Sequence, residues 1–462
     1  MAKSKGKSSK STKKAVTKAS KVISKTAKNN PAAVIVIIIV AILLAGLGIG
    51  GYLAYKHFNP DYTFKLNGTE TTYVSKNSSY EEKGAVATYA GKDISNEIKI
   101  SYFDEAKNAV TGITTDVEAT FYVEYKIDHE KLNKTLKRTV IVSDVVDMSI
   151  YFLELGNEYT GDSTYIKAGD VDILIDAGSR NASAGTIKAF VDEHCTDGKL
   201  EYVIVTHAHQ DHIAGFVGTS KFPGIFDSYV CETIIDFSLT NATSAVYNNY
   251  VAKRDAEVSS GAKHYTALEC VKQTNGAQKI YTIAPGITME ILYQEFYEKK
   301  TSDENDYSVC TLFTQGSNHY LLTGDLEKDG EKSLVENNPT LPKVQLFKGA
   351  HHGSYTANTD TLLSVIQPEV VCICCCAGST EYTKTPENTF PAQAAINRLG
   401  KYTDKIYVTT VTSSNSDKHE SMNGNILFFC ASGSSYTVTG SNNNTILKDT
   451  EWFKANRTWP SV

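Results

Sequence analysis

His207-Ala-His209-Gln-Asp211-His212 follows directly on the apolar run Tyr202-Val-Ile-Val-Thr206. The run reads as a strand and the hexapeptide as the loop at its carboxyl end, where α/β proteins build their ligand sites. Only 11 of the 462 residues are histidine, so three of them in six positions call for a chemical cause. Neutral imidazole and carboxylate oxygen are the donors that Zn²⁺ takes up. Core packing needs neither at this density, and a merely solvated loop needs no histidine. The stretch is read as a metal site.

Four further motifs share the chain with it in a fixed order. Upstream lies Asp172-Ile-Leu-Ile-Asp176-Ala-Gly178, and downstream lies Asn305-Asp-Tyr-Ser308 before an apolar strand. Tyr320-Leu-Leu-Thr-Gly324-Asp325-Leu-Glu327 and Lys348-Gly-Ala-His351-His352-Gly-Ser354 complete the set. The hexapeptide resembles the signature of the metallo-β-lactamase superfamily, and the five motifs in this order resemble its ComEC/Rec2-like branch. They are similar also to choline-phosphate esterases of bacterial surfaces. The resemblance covers roughly residues 147–440. It implies an αββα sandwich over residues 147–462, with two mixed sheets face to face, helices outside and the metal-binding loops along one edge.

Two dications a few ångströms apart clamp the attacking and leaving oxygens of a displacement and lower the pKa of bound water toward ~7. His207 and His209 are assigned to one metal, because alternate residues of an extended segment point the same way. Asp211 and His212 are assigned to the other, with Asp325 between them as the bridge. One of His351 and His352 completes the second metal, since adjacent residues on an extended loop point apart. The assignment adopted is His352 as ligand, with His351 contacting substrate or donating a proton to the leaving group. Asp211 and His351 are thus the candidate catalytic residues. The expected cofactor is zinc, as two ions, with manganese as the alternative.

The chain departs from the family pattern in two places. A further histidine usually completes the first metal between the His-x-His motif and the bridging Asp; here Asp236 and His264 are the candidates, His319 reading as a turn residue at the surface. Family members often carry His-Pro after the last sheet strand, where this chain reads Tyr382-Thr-Lys-Thr-Pro386.

The segments before residue 147 belong to other classes. Residues 1–30 hold ten Lys and no acidic residue among Ser, Thr, Ala and Gly, a composition that cannot bury a core. Residues 31–56 include 24 uncharged positions from Ala32 to Tyr55, more than the ~20 that a membrane-spanning helix needs. Positive charge on the amino side places that end in the cytoplasm and the remainder outside the cell. The tail lysines are expected to contact anionic lipid. Residues 61–145 alternate in places, as in Val117-Glu-Ala-Thr-Phe-Tyr-Val-Glu-Tyr125, with turn signals at Asn67-Gly68 and Gly91-Lys92. They resemble a bacterial surface Ig-like β-sandwich, a stalk with contacts to the cell wall.

The whole chain carries 46 basic and 52 acidic residues. Setting aside the ten tail lysines leaves 36 against 52, a net −16, which disfavours avid non-specific capture of a polyanion. The nine cysteines all follow residue 194, and their odd number and spacing do not suit a disulfide framework. Val370-Val-Cys-Ile-Cys-Cys-Cys376 reads as a buried strand with Cys as a small hydrophobe, its alternation parting Cys374 from Cys375. Free thiols outside the cell suit a reduced or anaerobic surface. Strands over residues 406–411, 424–429 and 435–438 are expected to end the second sheet, and the aromatic, basic stretch Trp452–Trp459 to pack on the domain. The leading functional reading is a membrane-anchored extracellular phosphodiesterase acting on nucleic acid, teichoic acid or a lipid head group. An acyl, thioester or lactam hydrolase, and a surface-binding protein with a vestigial metal site, are the alternatives.

Overall fold

The computed structural model describes residues 60–461 apart from 68–70, 78 and 131. The Lys-rich tail and the apolar span at 31–56 lie outside the described residues. Among those described, no helix is long and apolar enough to cross a membrane.

The chain falls into two compact units, each drawn from several stretches of sequence. The first takes residues up to Glu70 with Glu82–Ser101 and Val123–Arg138; the second takes Thr71–Glu81, Tyr102–Tyr122 and Thr139–Val462. In the first, Tyr62–Leu66, Ala85–Tyr89 and Lys92–Asp93 form an antiparallel sheet. Ala87, Tyr89, Ile94, Ile127 and Leu132 are buried together there. The buried Arg138 guanidinium is paired with the Glu82 carboxylate. Among the described residues from 61 to 145, the regular elements apart from the short 3-10 turn Ser95–Glu97 are strands.

In the second unit the sequence from Met148 onward builds two eight-stranded mixed sheets. The first runs, edge to edge, Lys263–Thr266, Val230–Asp236, Lys199–Ile204, Val171–Ile175, Thr164–Ala168, Met148–Phe152, Ile426–Cys430 and Tyr436–Gly440. The second runs Ile280–Ala284, Ile287–Leu292, Cys310–Gln315, Asn318–Leu322, Leu346–Lys348, Val370–Ala377, Ile406–Thr412 and His419–Ser421. Each sheet has a parallel block, from Val171–Ile175 to Lys263–Thr266 in the first. In the second it runs from Asn318–Leu322 to Ile406–Thr412.

Side chains of both sheets interdigitate in one core that includes Ile150, Phe152, Met289, Phe313, Tyr320 and Phe428. The helices Ser183–His194, Gln210–Val217 and Ala245–Ser260 pack against the first sheet through Ile187, Val191, Ile213, Phe216 and Tyr250. Ser244 caps the third of these by accepting from Tyr247 N, and Gly261, at φ 120°, ends it. A second core joins Leu321, Phe347, Val371 and Ile373 to Leu334, Leu362, Leu363 and Ile396 of the helices on the far side. The result is an αββα arrangement. Val370–Ala377 is buried at every residue because both its faces are covered. Cys372 and Cys374 enter the inter-sheet core while Cys375 enters the helix side. All nine cysteines are buried and free. Trp452 and Trp459 pack on the second core, as expected of the carboxyl end.

One expectation is corrected. Ile426–Cys430 and Tyr436–Gly440 do not end the second sheet; they return to the first, where Ile426–Cys430 pairs antiparallel with Met148–Phe152. Alternation says that a segment is a strand but not which edge it will join. That choice follows from the apolar face it buries: Phe428 meets the Tyr320 ring at 5.2 Å and the Tyr436 ring at 4.8 Å. Phe428 is wholly buried, so Phe428→Ala is expected to cost about 3–5 kcal/mol in denaturant unfolding. A loss under ~1 kcal/mol would place this strand outside the core.

Candidate metal centre

The parallel strands of both sheets end at one edge, and there the five motifs meet. The first contact is made by backbone. Asp162 N donates to Asp211 O (3.1 Å), Ala177 N to His212 O (2.8 Å) and Gly178 N to Asp162 O (2.8 Å), so the Asp-x-Gly strand end is stitched to the His-x-His-x-Asp-His loop. A Cβ on Gly178 would lie 1.6 Å from the Asp211 carbonyl oxygen, which explains the glycine. Asp176, held at φ 58°, turns its carboxylate back to accept from Thr206 N (2.8 Å) and Thr206 Oγ1 (2.7 Å). Across the cleft, Gly324 at φ 56° and the Ser308 hydroxyl, which accepts from Asp325 N (3.1 Å), turn Asp325 inward.

Four side chains then converge. His212 Nε2 and His352 Nε2 each lie 3.0 Å from Asp325 Oδ2, and His352 Nε2 lies 3.4 Å from Asp211 Oδ2. These spacings suit donors gathered round one ion at the ~2.0–2.2 Å bond lengths of Zn²⁺. The remaining nitrogens are already committed: His212 Nδ1 donates to Asp176 Oδ2 (2.7 Å) and His352 Nδ1 to Cys374 O (2.9 Å). Such partners fix the tautomer and aim Nε2 into the cluster. Among the described residues His352 Nε2 has no hydrogen-bond partner.

His212, Asp325 and His352 are 0–1% exposed. Burial disfavours charge on both histidines, yet Asp325 leads the groups that hold them protonated well above the usual imidazole range. Burial opposes charge on Asp325 as well, and the same two imidazoles keep it well below the usual carboxylate range. A cation bound at this point would displace those protons.

A second charged pair stands behind the first. The Lys348 ammonium is in contact with Asp162, donates to Gly324 O (3.0 Å) and lies 3.6 Å from Asp325 Oδ1. Asp162, His212, Asp325 and His352 offer donors all within 4.8 Å of one another. Asp162 nevertheless faces the Nδ1 side, 3.3 Å from His352 Nδ1, where an ammonium already neutralises it.

The remaining predicted residues are placed as follows. His207 is buried, with Nε2 3.0 Å from Nδ1 of the exposed His209. Burial, with His212 and His209 beside it, pushes His207 well below the usual range and keeps it a neutral donor. The two consecutive left-handed residues His351 (φ 47°) and His352 (φ 55°) swing the rings apart, to 5.9 Å between centroids. His351 does not join the cluster; its Nδ1 lies 2.9 Å from Glu327 Oε1. Neither candidate for the first metal's extra ligand is free to serve. Asp236 accepts from Arg254 (2.8 Å) and Tyr250 (3.0 Å) on one oxygen and meets His264 Nε2 (2.8 Å) with the other.

Sequence reasoning assigned no role to Asp162, Lys348, Glu327 or Tyr382. Tyr382, where the family often has His-Pro, donates its hydroxyl to Asp211 Oδ2 (2.6 Å). The only local signal for Asp162 and Lys348 was a charge beside an apolar strand. Their partners are too distant in sequence for any spacing rule.

The Metallo-beta-lactamase superfamily profile matches residues 156–220. Together with the sheet order and the converging loops, it defines the class: the chain has the metallo-β-lactamase fold. It is homologous to bacterial competence proteins. Recombination protein 2 of Haemophilus influenzae is 32% identical over 112 residues, 24% of this chain and 13% of that protein. Competence protein ComA of Neisseria gonorrhoeae is 24% identical over 214 residues, 46% of this chain and 24% of that protein. ComE operon protein 3 of Bacillus subtilis is 24% identical over 38% of this chain and 20% of its own length. The matched part thus spans a quarter or less of each relative. The solved metallo-β-lactamase fold protein YhfI of Bacillus subtilis aligns over 58% of this chain and 98% of its own at 12% identity, with a TM-score of 0.32, too low to weigh.

Gly178→Ala forces a methyl group into the Asp211 carbonyl. It is expected to cost about 3 kcal/mol or more in calorimetric unfolding, as strain in a packed site does. Gly112→Ala, where nothing lies within 4 Å of the added carbon, is the control and should change stability by under ~0.5 kcal/mol. Equal effects would show that the stitch between the two motifs carries no special weight.

Proposed function

We propose that the protein is a metal-dependent hydrolase of phosphodiesters, from nucleic acid, teichoic acid or a lipid head group. The observation that carries this reading is the convergence of His212 and His352 on one oxygen of Asp325, with Asp211 3.4 Å from His352 Nε2 and the far nitrogen of each imidazole already bonded. Zinc suits these donors, with manganese as the alternative. When bound, a divalent ion lowers the pKa of a water toward ~7 and stabilises the charge on a phosphoryl oxygen. Asp211, His212, Asp325 and His352 hold the ion, and His207 and His209 form the second position. His351, partnered by Glu327 at the rim, is the proton donor to the leaving group. The names of two relatives, recombination protein and competence protein, favour a nucleic-acid substrate. The net −16 outside the tail argues for local recognition of the phosphate over a basic track.

The apolar span at 31–56 is proposed as a single membrane anchor, its Lys-rich amino end on the cytoplasmic lipid surface and the hydrolase outside. The all-β region is then an Ig-like spacer that meets the cell wall.

Metal content measured together with turnover of bis-p-nitrophenyl phosphate, single-stranded DNA and nitrocefin tests the reading. Asp325→Asn keeps the shape and removes the charge, so phosphodiester turnover should fall by several orders of magnitude with loss of bound metal. Full metal content and full turnover in that variant would rule out the proposed centre. Nitrocefin turnover without phosphodiester turnover would replace it with a lactam hydrolase.

A further inference from the structure

The two halves of the motif are unequally equipped to hold an ion. At one position His212 and His352 each bring Nε2 to 3.0 Å from Asp325 Oδ2, and Asp211 Oδ2 lies 3.4 Å from His352 Nε2. The other has His207 and His209, in contact at 3.0 Å. The carboxylates that act on His207 are Asp325 and Asp211, both of which belong to the first group. Among the described residues, His212, Asp325 and His352 belong with Asp162 to a set of donors within 4.8 Å of one another, and no such set contains His207 or His209. The nearest substitutes in sequence, Asp236 and His264, are bonded to each other, and Asp236 also accepts from Arg254 and Tyr250.

Charge sharpens the difference. Asp325 Oδ1, the oxygen turned away from the two imidazoles, accepts no hydrogen bond among the described residues and faces the buried Lys348 ammonium at 3.6 Å. Lys348 is anchored there by Asp162 and by the Gly324 carbonyl, and its side chain is 3% exposed, so it cannot swing out to solvent. A bridging carboxylate offsets the repulsion between two dications only while its charge is available to both. Here a fixed monocation already draws on it. At separations of a few ångströms in a buried site, one added unit charge outweighs a single hydrogen bond.

We propose that the centre holds one ion tightly, on Asp211, His212, Asp325 and His352, and that Lys348 supplies the second positive charge that an equal partner ion would otherwise bring to Asp325. The His207–His209 position is then a weak site that fills and empties independently. This rests on the reading of the cluster as a metal centre and goes beyond it, because that reading is silent on how the two positions differ.

The full chain, freed of metal with a chelator and titrated with Zn²⁺ against a chromophoric competitor, tests this without any activity measurement. One ion should bind at least ~100-fold more tightly than the next, the scale on which altered ligand surroundings move affinity. His207→Ala with His209→Ala should keep the tight ion at unchanged affinity, while His352→Ala should lose it. In Lys348→Gln, the gap between the two affinities should narrow by about tenfold or more. Two ions of similar affinity in the unmodified protein would overturn the inequality while leaving the metal centre standing, as would loss of the tight ion in the double histidine variant. An unchanged gap in a Lys348→Gln protein that still holds its tight ion would remove Lys348 from the account. Absence of any bound ion would overturn both the centre and the inequality. Should Lys348→Gln fail to fold, the unmodified protein and the histidine variants still decide the inequality.

Discussion

Asp325 is a buried carboxylate that faces two imidazoles with one oxygen and an ammonium with the other. Each of these groups would be costly to bury alone, and a buried charge persists only when paired and hydrogen-bonded. The surroundings of the cleft follow from that requirement. Asp176 satisfies the far side of His212, Cys374 O that of His352, and Asp162 with Gly324 O the ammonium. The array compensates itself only in one arrangement. It therefore constrains how the two sheets meet at this edge as much as it uses their meeting.

The backbone is strained where that arrangement is made. Asp176, His351 and His352 are non-glycine residues in the left-handed region, and all three lie at the cleft. Conformations of this kind cost roughly 1–3 kcal/mol each and persist where surrounding contacts over-determine them. Their gain here is directional. On this backbone one ring reaches Asp325 and the other Glu327. The two cores, in contrast, hold the ends of the strands still: Val370–Ala377 is buried on both faces and carries Cys374, whose carbonyl receives His352.

The cleft edge is acidic like the rest of the chain, with Asp162, Asp176, Asp211 and Asp325 gathered around two imidazoles. Its positive groups are few and individually tethered, with Lys348 on Asp162, and Arg180 on Glu381 at the outer loop. Glu381 accepts from Thr160 N (3.0 Å), and the neighbouring Tyr382 reaches Asp211. The loop after the strand Val370–Ala377 thereby ties the second sheet's side of the cleft to the first.

Much of this was legible in the chain before folding. Donor types written in order at strand ends identify the fold and the centre, because metal chemistry restricts which side chains serve and strands present them locally. The buried strand of cysteines was readable for a similar reason: an apolar run with no charge can only be covered on both faces. The edge that Ile426–Cys430 joins was not, since its alternation suits either sheet. Nor could spacing separate His351 from His352, disqualify Asp236 and His264, or find the partners of Asp162 and Lys348. Those outcomes depend on contacts across long stretches of chain, 113 residues for His212 with Asp325 and 171 for Asp211 with Tyr382. The sequence by itself determined which donor types stand at the strand ends, because side-chain type is a local property. Only the tertiary structure decided which atoms meet and which charges are already neutralised, because compensation among buried groups exists only once the sheets have closed over them.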